Sequence, residues 1–256
     1  MTDLEGTRVL ITGGTSGLGR AMAEAVAAAG ARVAITSRST ERARSAAEEI
    51  GGALGLGMDT RDETAVQDGV ERVLEEWGGI DLLVNNAGIG MRTVNPRFVT
   101  EPQGFWTVSA DGFRAVVDTN LTGYFLVASA VVPHQLRAGS GRIVNISMNH
   151  STMNRRGFVP YGPSRAGAES LSRIMAADLS DTPVRVNVLL PGGITETGML
   201  DGVQLPPGAP VLPAAVMAAP IRWLASSEAA DVHDERIVAT EFDAWLEAYR
   251  GRSRAG

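Results

Sequence analysis

Thr7-Arg8-Val9-Leu10-Ile11-Thr12-Gly13-Gly14-Thr15-Ser16-Gly17-Leu18-Gly19 is the stretch whose reading decides the fold. Residues 7–12 form a short β-branched, apolar run of the kind that makes a strand buried on both faces. Residues 18–30 continue as an amphipathic helix. Between them, glycines permit a tight turn and let the backbone approach a diphosphate at the positive end of the helix. The spacing, Gly13-x-x-x-Gly17-x-Gly19, differs from the common dinucleotide fingerprint, and no Gly-Lys-Ser/Thr follows to make a P-loop. The position after a strand and before a long helix gives the turn its meaning. Gly13, Thr15, Ser16, Gly17, Leu18 and Gly19 are the residues it sets against a phosphate-bearing ligand.

The same alternation extends outward. Strand-like runs lie at 7–12, 31–37, 53–57, 81–85, 141–147, 184–189 and 236–239, with helical patterns at 18–30, 40–51, 62–78, 109–136 and 161–179. This β-α-β-α order predicts an α/β fold with a doubly wound, mostly parallel seven-stranded sheet, and ligands at the carboxyl ends of its strands. No repeat or linker divides the chain, so residues 1–256 are expected to form one domain. Two long irregular stretches, 89–107 and 195–213, follow strands and are expected to be substrate loops. Phe98, Phe105 and Trp106 in the first suggest an apolar pocket wall, or packing of the loop onto the domain.

Composition narrows the classes of function. Of 256 residues, 44% are hydrophobic, enough for a true core. There is no cysteine, which excludes disulfides, a thiol nucleophile and thiolate metal sites. Only three histidines are present, without a ligand cluster, so no metal is expected, His150 included. The net charge of −6 argues against nucleic-acid binding. Residues 1–5 lack the features of a signal peptide, and no apolar run reads as long enough to cross a bilayer. A cytoplasmic protein with no membrane association is the expectation. There is also no lysine, so every cation is Arg or His.

The second strand ends at Ser37-Arg38. An acidic residue there would accept from the ribose hydroxyls of NAD and repel a 2′-phosphate; a neutral Ser37 and a cationic Arg38 favour NADP(H) over NAD(H). Asp59, past the third strand, is placed to accept from an adenine amino group or to serve as a helix N-terminal acid. Asn85-Asn86-Ala87-Gly88 ends the fourth strand. Its small residues, Ala87 and Gly88, let a cofactor lie across the sheet, and its amides suit either ligand contact or ties between strands.

Tyr161-Gly162-Pro163-Ser164-Arg165 opens a helix. Its Tyr and Arg, four residues apart, share one helical face. Pro163 fits the first turn. A phenol beside a fixed positive charge favours its ionised form and can exchange a proton with a carbonyl or carbinol oxygen.

Taken in order, Thr12-Gly13-x-x-x-Gly17-x-Gly19, Asn85-Asn86-Ala87-Gly88, Asn120 in a long helix, Tyr161-x-x-x-Arg165 and Pro191-Gly192 resemble the short-chain dehydrogenase/reductase superfamily over nearly the whole chain. The resemblance implies a single-domain Rossmann fold and hydride transfer between a nicotinamide cofactor and a small-molecule secondary alcohol/ketone pair. It makes Tyr161 the acid/base and Asn120 the proton-relay residue, gives Arg165 the ribose-binding place of a lysine, and adds Pro191, Gly192, Ile194 and Thr195 to the cofactor set. It also implies a homotetramer or homodimer formed through the two long helices. Two positions depart from the family pattern. Arg165 stands where the family has Lys; it keeps the charge but does not give up a proton. Met148, thirteen residues before Tyr161, stands where the family has a Ser that holds the substrate oxygen. Ser147 is one residue early, on the opposite strand face, unless a bulge turns it; Asn149, His150 and Ser151 are the other donors nearby. These departures keep a second reading open: a cofactor-binding sensor or scaffold with lost or altered, non-redox chemistry. Arg92, Arg97, Arg155 and Arg156 would imply an anionic substrate if they face the pocket, and a charged surface otherwise.

Overall fold

The computed structural model describes residues 3–255; Met1 and Thr2, on which part of the leader reading falls, lie outside the described residues. In chain order the elements are β1 (Arg8–Ile11), α1 (Gly17–Ala27), β2 (Arg32–Ser37), α2 (Thr40–Glu49), β3 (Leu54–Gly57), α3 (Glu63–Trp77), β4 (Leu82–Asn85), α4 (Ala110–Val117), α5 (Gly123–Ala138), β5 (Gly141–Ile146), α6 (His150–Met153), α7 (Tyr161–Asp178), β6 (Val184–Leu190), β7 (Ile194–Thr195), β8 (Val211–Leu212), α8 (Ala218–Ala225), β9 (Arg236–Val238) and α9 (Phe242–Ala255). Seven strands form one parallel sheet in the order β3-β2-β1-β4-β5-β6-β9. This is the Rossmann-type, doubly wound α/β sheet that the sequence pattern implies. The chain winds outward from β1 to β3, then returns to place β4 on the other side of β1. That reversal opens a crevice at the carboxyl ends of β1 and β4.

Strand periodicity splits the core between the two sheet faces. Val9 and Ile11 join Met22, Ala23 and Val26 of α1 on one side. Leu10 joins Val66 and Val70 of α3 and Val127 and Val131 of α5 on the other. Both faces are covered, so the strands read as continuous apolar runs. α2 and α3 begin where the sequence supplies caps: Ser39 accepts from the Arg42 amide at 3.2 Å and Asp62 from the Ala65 amide at 3.1 Å. α3 ends at Gly78, whose φ of 72° suits glycine.

Several expectations need correction. The helix expected over 109–136 is α4 and α5 joined by a π-helical turn, Asp118–Thr122, which holds Asn120. With a mean hydropathy of 1.4 over an 18-residue window, Ala110–Ala138 is long and apolar enough to cross a membrane by length and composition, contrary to the sequence reading. Its buried face packs on the sheet. The 195–213 stretch contains the two short parallel strands β7 and β8. Phe105 and Trp106 are 69% and 77% exposed and stack edge-on with each other rather than lining a pocket. Phe242, Trp245 and Tyr249 of α9 close over Trp223 of α8, with ring centroids 5.5 Å apart for Trp223–Trp245 and 5.2 Å for Trp245–Tyr249. The C-terminal aromatic stripe therefore caps the core.

Candidate active site

A cavity of about 940 Å³ occupies the crevice at the carboxyl ends of the strands. Gly13, Thr15, Ser16, Gly17, Leu18, Gly19, Ser37, Arg38, Asp59, Asn86, Ala87, Gly88, Pro191, Gly192, Ile194 and Thr195 all line it, as do Tyr161, Arg165 and Ser147. Asn120 is fully buried behind this wall.

The glycine turn is held from below. Asn86 Nδ2 donates to the carbonyls of Thr12 at 2.9 Å and Gly13 at 3.0 Å, and Thr12 Oγ1 accepts from the amides of Asn86 and Ala87, both at 3.0 Å. The Asn86 side chain thus works as a strut. Asn85 donates to Asn145 at 2.9 Å, tying β4 to β5. A Cβ on Gly13 would sit 2.9 Å from Ala87 Cα, and one on Gly19 would collide with the Gly13 carbonyl, so the tight turn requires both glycines.

The site suits a dinucleotide on two counts. Ser16, the N-cap of α1, makes no side-chain capping bond, and the first turn of α1 has no acidic residue. Its amides are therefore available to an anion, whereas α2, α3 and α4 are capped by their own side chains. At the β2 end, Arg38 is joined in the cavity wall by Arg42, a cation the sequence reading missed. Asp59 is engaged by Arg61 at 2.6 Å, and that hydrogen bond, more than its burial opposes, holds its carboxyl below the ordinary range.

The other end carries the phenol and its cation. The Arg165 guanidinium lies 5.4 Å from the centroid of the Tyr161 ring and 5.6 Å from that of Tyr124. Its Nη1 donates to Tyr124 Oη at 2.6 Å and to the Ile146 carbonyl at 3.0 Å, and Tyr124 Oη donates to the same carbonyl at 3.1 Å. Arg165 is 3% exposed, and its Nε has no protein partner. Burial works against its charge, but the two phenols outweigh it and hold the guanidinium protonated above its ordinary value. Burial likewise pushes the Tyr124 phenol up, against the opposing pull of Arg165. Tyr124 was missed by sequence reasoning; an aromatic on an apolar helix reads as core. Asn120 Nδ2 donates to the Ile89 carbonyl at 3.0 Å and to Ser164 Oγ at 3.1 Å, and its Oδ1 accepts from the Ile89 amide at 2.9 Å. It therefore pins the loop after β4 to α7.

Ser147 Oγ donates to Glu169 Oε1 at 2.6 Å. Glu169 also meets His150 at 3.0 Å and Arg236 at 3.1 Å, while Arg236 Nη2 donates to the Met148 carbonyl at 2.8 Å. Met148 lines the cavity and clusters with Met91, Met153, Phe158 and Tyr161. Asn149 lines the cavity as well, its amide donating to the Gly192 carbonyl at 3.0 Å. Tyr161 Oη faces Met199 Sδ at 4.0 Å. Of the four loop arginines, Arg92 and Arg155 line the cavity and Arg97 and Arg156 do not. Phe98 lines it too, edge-on to Phe158 at 5.6 Å.

Comparison with known proteins agrees with this architecture. The family profile described as short chain dehydrogenase matches residues 7–206. The chain is 37% identical over 201 residues to the 3-oxoacyl-[acyl-carrier-protein] reductase FabG of Aquifex aeolicus, covering 77% of each chain. It is 34% identical over 195 residues to the 2,5-dichloro-2,5-cyclohexadiene-1,4-diol dehydrogenase LinX of Sphingobium indicum, covering 75% of this chain and 74% of that one. Among solved structures, the 3-ketoacyl-(acyl-carrier-protein) reductase of Brucella melitensis complexed with NADH superposes with a TM-score of 0.82 at 29% identity, over 92% of this chain and 97% of that one. On its fold, its motifs and these matches, the chain belongs to the short-chain dehydrogenase family of oxidoreductases.

Proposed function

We propose that the chain interconverts a secondary alcohol and a ketone, with NADP(H) preferred over NAD(H) and Tyr161 as the acid/base. The observation that carries this reading is one cavity lined at one end by the uncapped glycine turn with Arg38 and Arg42, and at the other by Tyr161 and Arg165. A bound nicotinamide would supply the hydride donor or acceptor. In reduction, Tyr161 Oη gives its proton to the carbonyl oxygen as the carbinol forms, and in oxidation it takes that proton back. Arg165, fixed beneath the ring, supplies a permanent positive charge and donors for the ribose hydroxyls. It does not carry the proton, so Tyr161 exchanges through solvent or the ribose hydroxyls. Asn120 contributes by holding the Ile89 backbone that borders the cavity. Ser147 is a hydroxyl in the cavity wall, but its proton is directed at Glu169.

Met148 and Met199 beside the phenol favour a second reading, in which the chain binds the cofactor without turnover. One assay separates the two. Across a broad carbonyl panel, the oxidoreductase reading expects substrate-dependent loss of the nicotinamide absorbance, with a lower KM for NADPH than for NADH. Arg38→Ala should narrow that gap by about tenfold, the worth of a charge-assisted phosphate contact. A flat trace with every carbonyl would decide for the silent binder.

A homodimer or homotetramer through α4, α5 and α7 fits the exposed Phe113, Phe125 and Ile174 on those helices. Light scattering should return a multiple of the 26.9 kDa chain, and a monomer mass would reject this. The setting we assign is the cytoplasm.

A further inference from the structure

We propose that the substrate is an apolar ketone, or the matching secondary alcohol, bearing an anionic group (carboxylate or phosphate) at the end remote from the reacting carbon. This rests on the oxidoreductase reading and names the substrate class of that same site.

The wall around the reacting position is thioether and ring. Tyr161 Oη faces Met199 Sδ at 4.0 Å, and Tyr161 and Phe98 pack against one cluster that contains Met91, Met148 and Phe158. Methionines contributed by separate segments make a polarizable, adaptable surface that accepts an apolar body; the Ser147 and Asn149 side chains in the same lining are already bonded to Glu169 and the Gly192 carbonyl. The remaining lining of this end changes character at two residues. Arg92 reaches across from the loop after β4 to the Gly198 carbonyl at 3.1 Å. The Arg155 guanidinium lies 5.2 Å from the centroid of the Phe158 ring. Neither has a carboxylate partner among the described residues, whereas the neighbouring Arg97 pairs with Glu101 at 3.1 Å. Among the described residues, the sole acid lining the cavity is Asp59, at the cofactor end and paired with Arg61. In a chain of net charge −6, the substrate end is thus cationic. Guanidinium groups match carboxylate and phosphate oxygens two at a time. A ligand with an apolar middle and an anionic tail satisfies both parts of the wall.

The test is calorimetric, on protein saturated with NADP⁺ so that an added ketone cannot turn over. The probes are one phenylalkyl ketone with a terminal carboxylate, its methyl ester, and its terminal phosphate monoester. At least one anionic probe should bind about tenfold more tightly than the ester at low salt, with the gap shrinking as salt rises. The tighter of the two anions identifies the headgroup. In the Arg92→Gln/Arg155→Gln double variant, with its fold checked by circular dichroism, the gap should fall to about twofold. Equal affinities for ester and anions in the wild type, or a gap that survives in the double variant, would overturn the assignment. NADPH consumption is measured separately on the same probes. Charge-dependent binding with no consumption would overturn the redox reading and leave the ligand class standing.

Discussion

Met148 and Ser147 carry the largest chemical question at the scale of single residues. Both follow the end of β5 at Ile146 and both line the cavity, but Ser147 directs its hydroxyl to Glu169 while Met148 packs with Tyr161. A methionine gives a developing alkoxide no ordinary donor, and loss of one such donor costs roughly 10²–10³ in rate. Met148→Ser should therefore raise kcat for ketone reduction by at least about tenfold, with KM changed far less. Steady-state NADPH consumption reads this, and an unchanged or lower kcat would show that the oxygen is held by another group. The methionine at the expected Ser position was legible from its spacing to Tyr161; the access of Ser147 to the same cavity was not, because the strand ends at Ile146 and two-residue alternation no longer applies beyond it. The Tyr124 clamp on Arg165 was not, because the partners are 41 residues apart and the contact exists only after α5 and α7 pack. Arg42 escaped notice for a similar reason: α2 brings it round to Arg38, and nothing in its neighbours marks it.

Elements meet at Glu169. From α7 it receives Ser147 at the end of β5, His150 of α6 and Arg236 of β9, and Arg236 in turn fixes the Met148 carbonyl. Burial raises its carboxyl, but Arg236, Ser147 and His150 together outweigh that and hold it below the usual carboxylate range. A carboxylate depressed by folding adds stability above its unfolded value, and that stability is lost as pH falls through the folded value. Glu169→Gln should cost about 2 kcal/mol at pH 7, and the gap to wild type should shrink as pH falls below the ordinary glutamate value of about 4.3 and close once it passes the lowered folded value. Urea denaturation at a series of pH values measures it. A gap independent of pH would mean that Glu169 acts through shape alone. Element types were legible where a capping residue and a periodic face coincide, as in α2 and α3. The π turn at Asn120 was not, since a helix with one extra residue in a turn keeps an apolar pattern. Short β7, β8 and α6 lie in segments whose Gly, Pro and polar residues mask any period.

For the whole molecule, the order of strands, glycine turn and helices was readable because a sheet covered on both faces demands continuous apolar strands. The cavity joins residues that are distant in the chain, so its lining was readable only through motifs, and which of the four loop arginines line it, Arg92 and Arg155, emerged only in three dimensions. The oxidoreductase reading of this cavity depends on Tyr161 exchanging a proton with a substrate oxygen while a nicotinamide is held across the sheet. The most direct measurement compares wild type with Tyr161→Phe in NADPH consumption on a carbonyl that the wild type reduces, alongside NADPH affinity by fluorescence titration. The account predicts a loss of turnover of about 10³-fold or more with affinity within a few-fold. Turnover equal to wild type in the Phe variant would contradict it.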